Sequence, residues 1–447
     1  MQDEKMGTKS IPKLMLELSI PSIIAQIINV LYNIVDRIYI GRMEGVGDLA
    51  LTGVGVTFPI LMIISAFTGF AGAGGAPLAA IELGKKEKEN AEKILGNSTF
   101  LLLVFSIILM FFFFIFQKPL LYMFGASDNT IEYAIQYLSI YLFGTVFVQL
   151  SVGLNPFISC QGQAKIAMLS VLIGAIINIV LDPIFIFYFN LGVKGAAIAT
   201  ILSQFCSAVW VVKFLTSKKS IMCIKLNNMK PNNDIIKKIA SLGISPFIMA
   251  STESLITIVL NSGLQKYGGD LYVGSMTILQ SVMQLVFVPI QGFTQGVQPI
   301  ISYNYGAKKH YRVKLTVRYM MIVSCTLTTI ACLLTTRFPL VFGSLFTTKK
   351  ELLEIVGKAM PIYMAGIFMF GMQMACQSTF LGLGQAKASL FLASLRKIIL
   401  LMPLAIILPK FTNNVMSIYY AEPISDIISA STAFILFIIL RKKILSD

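Results

Sequence analysis

Two aspartates lie inside stretches of sequence that are otherwise apolar, and each has an asparagine at helical spacing. Asp36 follows Asn33 by three residues, and Asp182 follows Asn178 by four. Residues three or four apart share one face of a helix, so the oxygens of each pair stack together. Burying an acid at the centre of a membrane helix costs about 2.5–3.5 kcal/mol, which marks such an acid as a candidate functional residue. Carboxylate and amide oxygens suit an alkali cation or a shared proton.

Further oxygen-bearing side chains occur in the neighbouring apolar stretches, namely Tyr137, Gln149, Asn155 and Thr200. Pro183 directly follows Asp182, and because proline lacks an N–H it should bend the helix and free the carbonyl of Ile179. Together these groups would surround a cation with oxygen atoms. Hydrogen bonds that only hold packed helices together explain the amides and hydroxyls equally well.

The elements that must position these residues are repeated along the chain at an offset of 222 residues. The matched positions include Tyr141 and Tyr363, Gly144 and Gly366, Gly162 and Gly384, and Lys165 and Lys387. Duplicated membrane folds usually keep the substrate site between the repeats, near the middle of the bilayer. The repeat therefore predicts a transporter that works by alternating access.

Composition indicates that lipid is the main solvent, because 56% of the residues are hydrophobic and only 13% are charged. A helix needs about 20 apolar residues to cross a bilayer. Twelve such stretches lie near 14–40, 48–82, 94–116, 131–157, 166–189, 194–216, 235–263, 271–303, 316–338, 355–380, 388–409 and 416–440. We predict an all-α integral membrane protein with twelve transmembrane helices in two pseudo-symmetric six-helix lobes. The N-lobe would comprise residues 1–216, a cytoplasmic linker residues 217–234, and the C-lobe residues 235–447.

The net charge of +15 comes from lysines and arginines that concentrate in alternate loops. That distribution is typical of membrane topology and not of a nucleic-acid-binding surface, so no nucleic acid is expected as a partner. It predicts a multi-pass protein of the cell membrane with both termini in the cytoplasm. Each half has an even number of spans, so the two repeats enter the bilayer from the same side.

The second half does not copy the acids of the first. Asn178 and Asp182 match Leu400 and Leu404, whereas the C-lobe has its own in-span acids, Glu253, Glu422 and Asp426. We predict that a central cleft is lined by Asn33, Gln149, Glu253, Gln280, Gln284 and Asp426. Glu253 and Asp426 would neutralise a cationic substrate there. The basic pair Arg396 and Lys397 would either reach the membrane surface or pair with a cleft acid.

The segment from Leu31 to Arg42, with Asp36 inside it, resembles the first-helix pattern of the multidrug and toxic compound extrusion (MATE) family. Gly69-Phe70 and Gly292-Phe293 resemble its second-helix motif in each half. The chain is most similar to the DinF-like prokaryotic branch, although Glu253 resembles an acid of the NorM-like branch. The resemblance implies a cation site formed by Asp36, Asn178, Asp182 and Thr200, and this site could bind Na+. It also implies accessory roles for Tyr137 and Asn155.

The same resemblance implies efflux of lipophilic, often cationic drugs or toxic compounds in exchange for Na+ or H+. Such a protein needs no cofactor beyond the coupling ion, contacts membrane lipids, and is expected to act as a monomer. The sequence contains no HExxH, GxSxG or GxxxxGK(S/T) motif, so we expect neither an enzyme nor an ATPase. The alternative is a flippase for lipids or lipid-linked saccharides with a related two-lobe architecture. In-span acids outnumber in-span bases, which favours cationic cargo.

Overall fold

A computed structural model describes residues 2–444; residue 1 and residues 445–447, at the outer ends of the two predicted lobes, lie outside the described residues. The regular elements within that range are helices. The first half contains α1 Gln2–Thr8, α2 Ile11–Gly41, α3 Gly47–Gly84, α4 Lys88–Met123, α5 Ile131–Phe143, α6 Thr145–Ser159, α7 Ala164–Pro183 and α8 Val193–Leu215. The second half contains α9 Asn233–Gly268, α10 Asp270–Gly306, α11 His310–Arg337, α12 Pro339–Ser344, α13 Lys350–Tyr363, α14 Ile367–Gly382, α15 Ala386–Ser394, α16 Met402–Thr412 and α17 Ala421–Ile444.

By length and composition, eleven helical segments within residues 2–444 can cross a membrane, and the bent pair α5 and α6 makes a twelfth. Some spans combine two helices: a short 3-10 turn joins α13 to α14, and a π-helical turn over Leu395–Leu401 joins α15 to α16. The predicted all-α membrane fold with twelve spans is confirmed. The predicted continuous helix over 131–157 is instead bent by 60° between α5 and α6.

The bend in the fourth span occurs at a glycine that has a matched partner in the other half. Gly144 lies between α5 and α6, and Gly366 ends the 3-10 turn between α13 and α14. A Cβ on Gly144 would lie 2.5 Å from Cγ1 of Ile201, and a Cβ on Gly366 would lie 2.5 Å from Cα of Pro423. Ile201 and Pro423 are themselves 222 residues apart, so both lobes use the same close helix contact.

A second pair of matched glycines explains the repeated Gly-Gln-Ala-Lys motif. Gly162 and Gly384 have φ values of +80° and +68°, a left-handed conformation that favours glycine. Each begins the turn that leads into a new helix, which starts at Ala164 in the first half and at Ala386 in the second. The motif is therefore a structural turn.

The two halves meet mainly where α3 packs against α9 and α2 packs against α10. Small residues allow α3 and α10 to touch as well. A Cβ added to Gly84 would collide with the carbonyl of Tyr303, and one added to Gly306 would collide with the carbonyl of Ile81. Gly84 and Gly306 are also matched positions of the repeat, so the contact between the halves follows the pseudo-symmetry.

The contacts between the halves occupy the parts of these helices nearest the linker. The rings of Phe67 and Phe247 lie 4.9 Å apart, and Gln26 Nε2 donates to Gln295 Oε1 at 2.9 Å. Further along α9, the side chain of Glu253 is 62% exposed. The halves therefore pack together at the linker end, while polar side chains remain accessible farther along the helices.

The linker between α8 and α9 is tied to the N-lobe by side-chain acceptors. Glu92 accepts hydrogen bonds from the backbone N–H of Cys223 and from Lys225 Nζ, at 3.2 and 2.5 Å. The hydrogen bond to Glu92 raises the pKa of Lys225. Asn97 Oδ1 accepts from the backbone N–H of Asn232 at 2.8 Å. These contacts hold the linker against the end of α4.

Candidate cation site and central cleft

The two N-lobe aspartates come together where α2 packs against α7. Asp36 on α2 is 9% exposed and Asp182 on α7 is fully buried, and their carboxyl groups are close enough to interact. Asn178 lies one turn before Asp182, and its Nδ2 donates to Asp182 Oδ1 at 3.2 Å. The structure thus brings together three of the residues that the sequence predicted for one site.

Three oxygens in this group lack a hydrogen-bond partner although they are buried. They are Asp36 Oδ1, Asn178 Oδ1 and Asp182 Oδ2. Buried polar atoms are nearly always hydrogen-bonded, and leaving one unsatisfied costs about 1–3 kcal/mol. A proton or a cation without its water shell would satisfy these oxygens, and an apolar ligand would not. The arrangement is therefore suited to binding a small cation.

Tyr137 on α5 and Thr200 on α8 form a wall beside the aspartates. The Tyr137 hydroxyl lies close to Thr200 and within electrostatic range of Asp36. Thr200 Oγ1 donates to the carbonyl of Ala196 at 3.0 Å, so its lone pairs remain available as acceptors. Tyr137 is 4% exposed and stacks on Tyr141 with ring centroids 6.2 Å apart. This packing fixes the position of the hydroxyl.

Pro183 changes the helix directly after Asp182. Its nitrogen carries no hydrogen, so it cannot donate to the carbonyl of Ile179. A π-helical turn begins at the next residue and covers Ile184–Tyr188. Such turns often occur at functional sites. The π turn lies directly after the acid, and the predicted bend and free Ile179 carbonyl remain predictions.

Asn155 and Gln149 direct their amide groups to other partners. Asn155 Nδ2 donates to the carbonyl of Ala167 at 2.9 Å and to Ser170 Oγ at 2.6 Å. Gln149 Nε2 donates to the carbonyl of Ile64 at 3.1 Å, while its Oε1 is buried without a partner. The predicted roles of Asn155 in cation binding and of Gln149 in the cleft remain predictions.

The matched residue in the C-lobe favours a packing role for Asn155. Gln377 lies 222 residues after Asn155, and its Nε2 donates to the carbonyl of Ser389 at 3.2 Å. Ser389 in turn matches Ala167, so both lobes use one amide to join the same two helices. Because the C-lobe keeps this bond without the paired aspartates, the bond does not require a cation.

In the C-lobe, the in-span acids are paired with bases, an arrangement that the sequence had left open. Arg396 Nη2 lies 2.7 Å from Glu422 Oε1, and its Nε lies 2.7 Å from Asp426 Oδ1. The guanidinium also lies over the ring of Phe370, 5.0 Å from its centroid. Lys397 Nζ pairs with Glu253 Oε2. Glu422 belongs to this charged cluster together with Asp426.

The remaining predicted cleft residues differ in exposure. Asn33 and Gln284 are exposed, Gln280 is half-buried, and Asp426 is 1% exposed. Asn33 and Gln284 lie in the parts of α2 and α10 away from the linker, as expected for the open part of a cleft. The predicted contact of these residues with a substrate remains a prediction.

Sequence reasoning missed the Gln26–Gln295 hydrogen bond between the lobes, although both glutamines lie on polar helix faces.

Comparison with known proteins identifies the kind of molecule to which this geometry belongs. The MatE family model matches residues 21–184 and 246–407, one match in each half. The multidrug export protein MepA of Staphylococcus haemolyticus is 25% identical over 454 residues, covering 100% of this chain and 98% of that protein. Two solved structures share the fold with a TM-score of 0.92 at 24% identity. One is MATE in the bent conformation, covering 99% of this chain and 98% of the other. The other is an outward-facing multidrug resistance MATE family transporter, covering 100% and 99%.

Proposed function

The chain belongs to the MatE family of membrane transporters, and on that premise we propose that it is a multidrug efflux protein driven by Na+ or H+. The observation that carries the coupling part of the proposal is the set of three buried oxygens without partners on Asp36, Asn178 and Asp182. The drug part rests on the similarity to multidrug export proteins. Lipophilic and cationic compounds are the expected substrates.

The coupling ion would act through the contact between α2 and α7. Without an ion, Asp36 and Asp182 bring two carboxylates together in a buried place, which disfavours two negative charges. A bound proton or Na+ removes that repulsion and allows α2 to pack more tightly against α7. The same α2 contacts α10 of the other lobe through Gln26 and Gln295. Ion binding can therefore alter the packing between the lobes.

Alternating access would follow from a change at the interface of α2 and α3 with α9 and α10. We propose that the linker end lies in the cytoplasm and that the cleft opens on the opposite side of the cell membrane. The energy is sufficient, because one charge crossing 100 mV supplies about 2.3 kcal/mol. No cofactor other than the coupling ion is needed.

Transport in proteoliposomes tests this proposal. A fluorescent lipophilic cation would be exported when a Na+ or H+ gradient is imposed, and the effective gradient would name the ion. Asp36→Asn and Asp182→Asn should each abolish gradient-driven export. Asp48→Asn is the matched control, because Asp48 is an exposed acid at the start of α3. Export that needs no gradient, or that survives both substitutions, would contradict ion coupling, and lipid flipping would then be assayed in the same vesicles.

A further inference from the structure

Glu253 is the in-span acid of the C-lobe with the most open surroundings. Glu422 and Asp426 have side chains that are 7% and 1% exposed, and both are engaged by Arg396. The Glu253 side chain is 62% exposed, although it lies near the middle of α9. A cationic group approaching this part of the C-lobe therefore meets Glu253 before either of the other two acids.

One carboxylate oxygen of Glu253 is already paired with a base of the protein itself. Lys397 Nζ contacts Glu253 Oε2, and the Lys397 side chain is only 7% exposed. The same ammonium donates to the carbonyl of Met249 at 2.7 Å. Lys397 therefore has a second, neutral acceptor one turn along α9, which can hold it if the carboxylate takes another partner.

The neighbouring base cannot replace Lys397 in this role. Arg396 is next in the chain, but its guanidinium is held by two carboxylates and by the face of Phe370. Both bases lie in the π-helical turn over Leu395–Leu401. One of them faces the acids of α17, and the other faces the acid of α9. Lys397 is thus the base whose charge bears directly on Glu253.

We propose that Lys397 competes with cationic substrates for Glu253 and thereby sets which charges the transporter accepts. The inference rests on the proposed function and names a residue that determines its substrate range. A monocation binds to the open side of Glu253 only by sharing or replacing the Lys397 ammonium. The built-in competitor weakens the binding of monocations relative to neutral lipophilic compounds. It also keeps Glu253 neutralised whenever the cleft contains no substrate.

Binding of tetraphenylphosphonium, a permanent lipophilic monocation, tests the inference in protein held in lipid nanodiscs without any ion gradient. Lys397→Met removes the charge but keeps the length and apolar character of the side chain. It should tighten binding about tenfold, which corresponds to about 1.4 kcal/mol. Lys397→Arg keeps the charge and should stay close to wild type. A neutral lipophilic dye, bound by the same preparations, should not distinguish Lys397→Met from wild type.

The decisive comparison repeats Lys397→Met in a Glu253→Gln background. Competition requires the carboxylate, so the gain should largely disappear there. If Lys397→Met tightens tetraphenylphosphonium binding equally in both backgrounds, its effect is a general effect of charge. If Lys397→Met does not tighten binding in the otherwise wild-type protein, Lys397 does not compete with the cation. Either result overturns the inference. Neutral-dye binding reports whether each variant is intact. Because the assay uses no gradient, failure of ion-coupled export leaves its result interpretable.

Discussion

At the scale of single residues, the N-lobe site depends on oxygens that have no partner in the protein. Asn178 is central, because its Nδ2 holds one oxygen of Asp182 while its own Oδ1 remains unpaired. The C-lobe has Leu400 at the matched position. The lobes therefore differ at the position that orients the acid: the clustered oxygens of the N-lobe stay unpaired, whereas the acids Glu422 and Asp426 of the C-lobe are held by Arg396.

Replacing Asn178 with leucine should weaken the binding of the coupling ion without disturbing the fold. Leucine occupies the matched C-lobe position, and the change removes a hydrogen bond to a carboxylate worth about 1.5–3 kcal/mol. We expect the Na+ or H+ concentration for half-maximal export to change at least tenfold in the direction of weaker ion binding. Proteoliposome transport at graded ion concentrations measures it. Asn90→Leu, a change at an exposed position of α4, is the control and should leave the concentration unchanged.

Removing Arg396 should destabilise the protein strongly. Arg396→Met leaves Glu422 and Asp426 buried without their base, and breaking a buried ion pair from one side costs about 3–5 kcal/mol. We expect a clear fall in the unfolding temperature of the protein in detergent. Light scattering during heating measures that temperature. The triple variant that adds Glu422→Gln and Asp426→Asn should recover most of the loss. Arg337→Met, at an exposed arginine, should change little.

The sequence predicted the acids but not all of their partners, for a physical reason. Asp36 and Asp182 are recognisable because a charge inside an apolar helix is costly wherever the helix packs. The pairing of Lys397 with Glu253 depends on how α9 meets the turn before α16, which no local spacing encodes. Likewise, an amide such as Asn155 looks the same in sequence whether it binds a cation or a carbonyl.

At the scale of helices, the two lobes interrupt the equivalent span at matched positions: the first bends by 60° beside Gly144, and the second contains a 3-10 turn that ends at Gly366. Hydrophobic length predicts that a span exists, but it contains no information about a break within it. The signal was the repeat, which had marked Gly144 and Gly366 as matched positions. Their close contacts with Ile201 and Pro423 show why a side chain is excluded there.

Alanine substitutions at Gly144 and Gly366 should differ in whether a second substitution restores the stability of the protein. Gly144→Ala forces its Cβ to 2.5 Å from the Ile201 side chain, and overpacking of this kind costs about 1–3 kcal/mol. Adding Ile201→Ala should restore the unfolding temperature, because it removes the colliding atoms. Gly366→Ala meets the backbone of Pro423, so Pro423→Ala should give no comparable recovery. Equal recovery in both lobes would show that the collisions do not determine stability.

At the scale of the whole molecule, the linker end is closed partly by the N-terminal segment. Arg312 Nη2 donates to the carbonyl of Lys9 at 2.6 Å, and Asn304 Nδ2 donates to the carbonyl of Met6 at 3.0 Å. Met6 lies beside Cys160 of the N-lobe and Tyr303 of the C-lobe. The segment therefore joins both lobes where alternating access would require them to separate.

Loss of Arg312 should open this end more often. Arg312→Ala removes the donors to the Met6 and Lys9 carbonyls, and Cys160 is the native reporter because it is 2% exposed beneath Met6. In a background with the other cysteines replaced, labelling of Cys160 by a small thiol reagent should become several-fold faster. Arg318→Ala, farther along α11, is the control. Unchanged labelling would show that the segment does not hold the end closed.

We propose that Asp36 and Asp182 together hold the coupling ion. Equilibrium binding to the purified protein measures this, using radioactive sodium for Na+ and proton uptake from weak buffer for H+. We expect saturable binding of one of these ions that is lost in Asp182→Asn and kept in Asp48→Asn. Binding of the same amount and affinity in Asp182→Asn would contradict it.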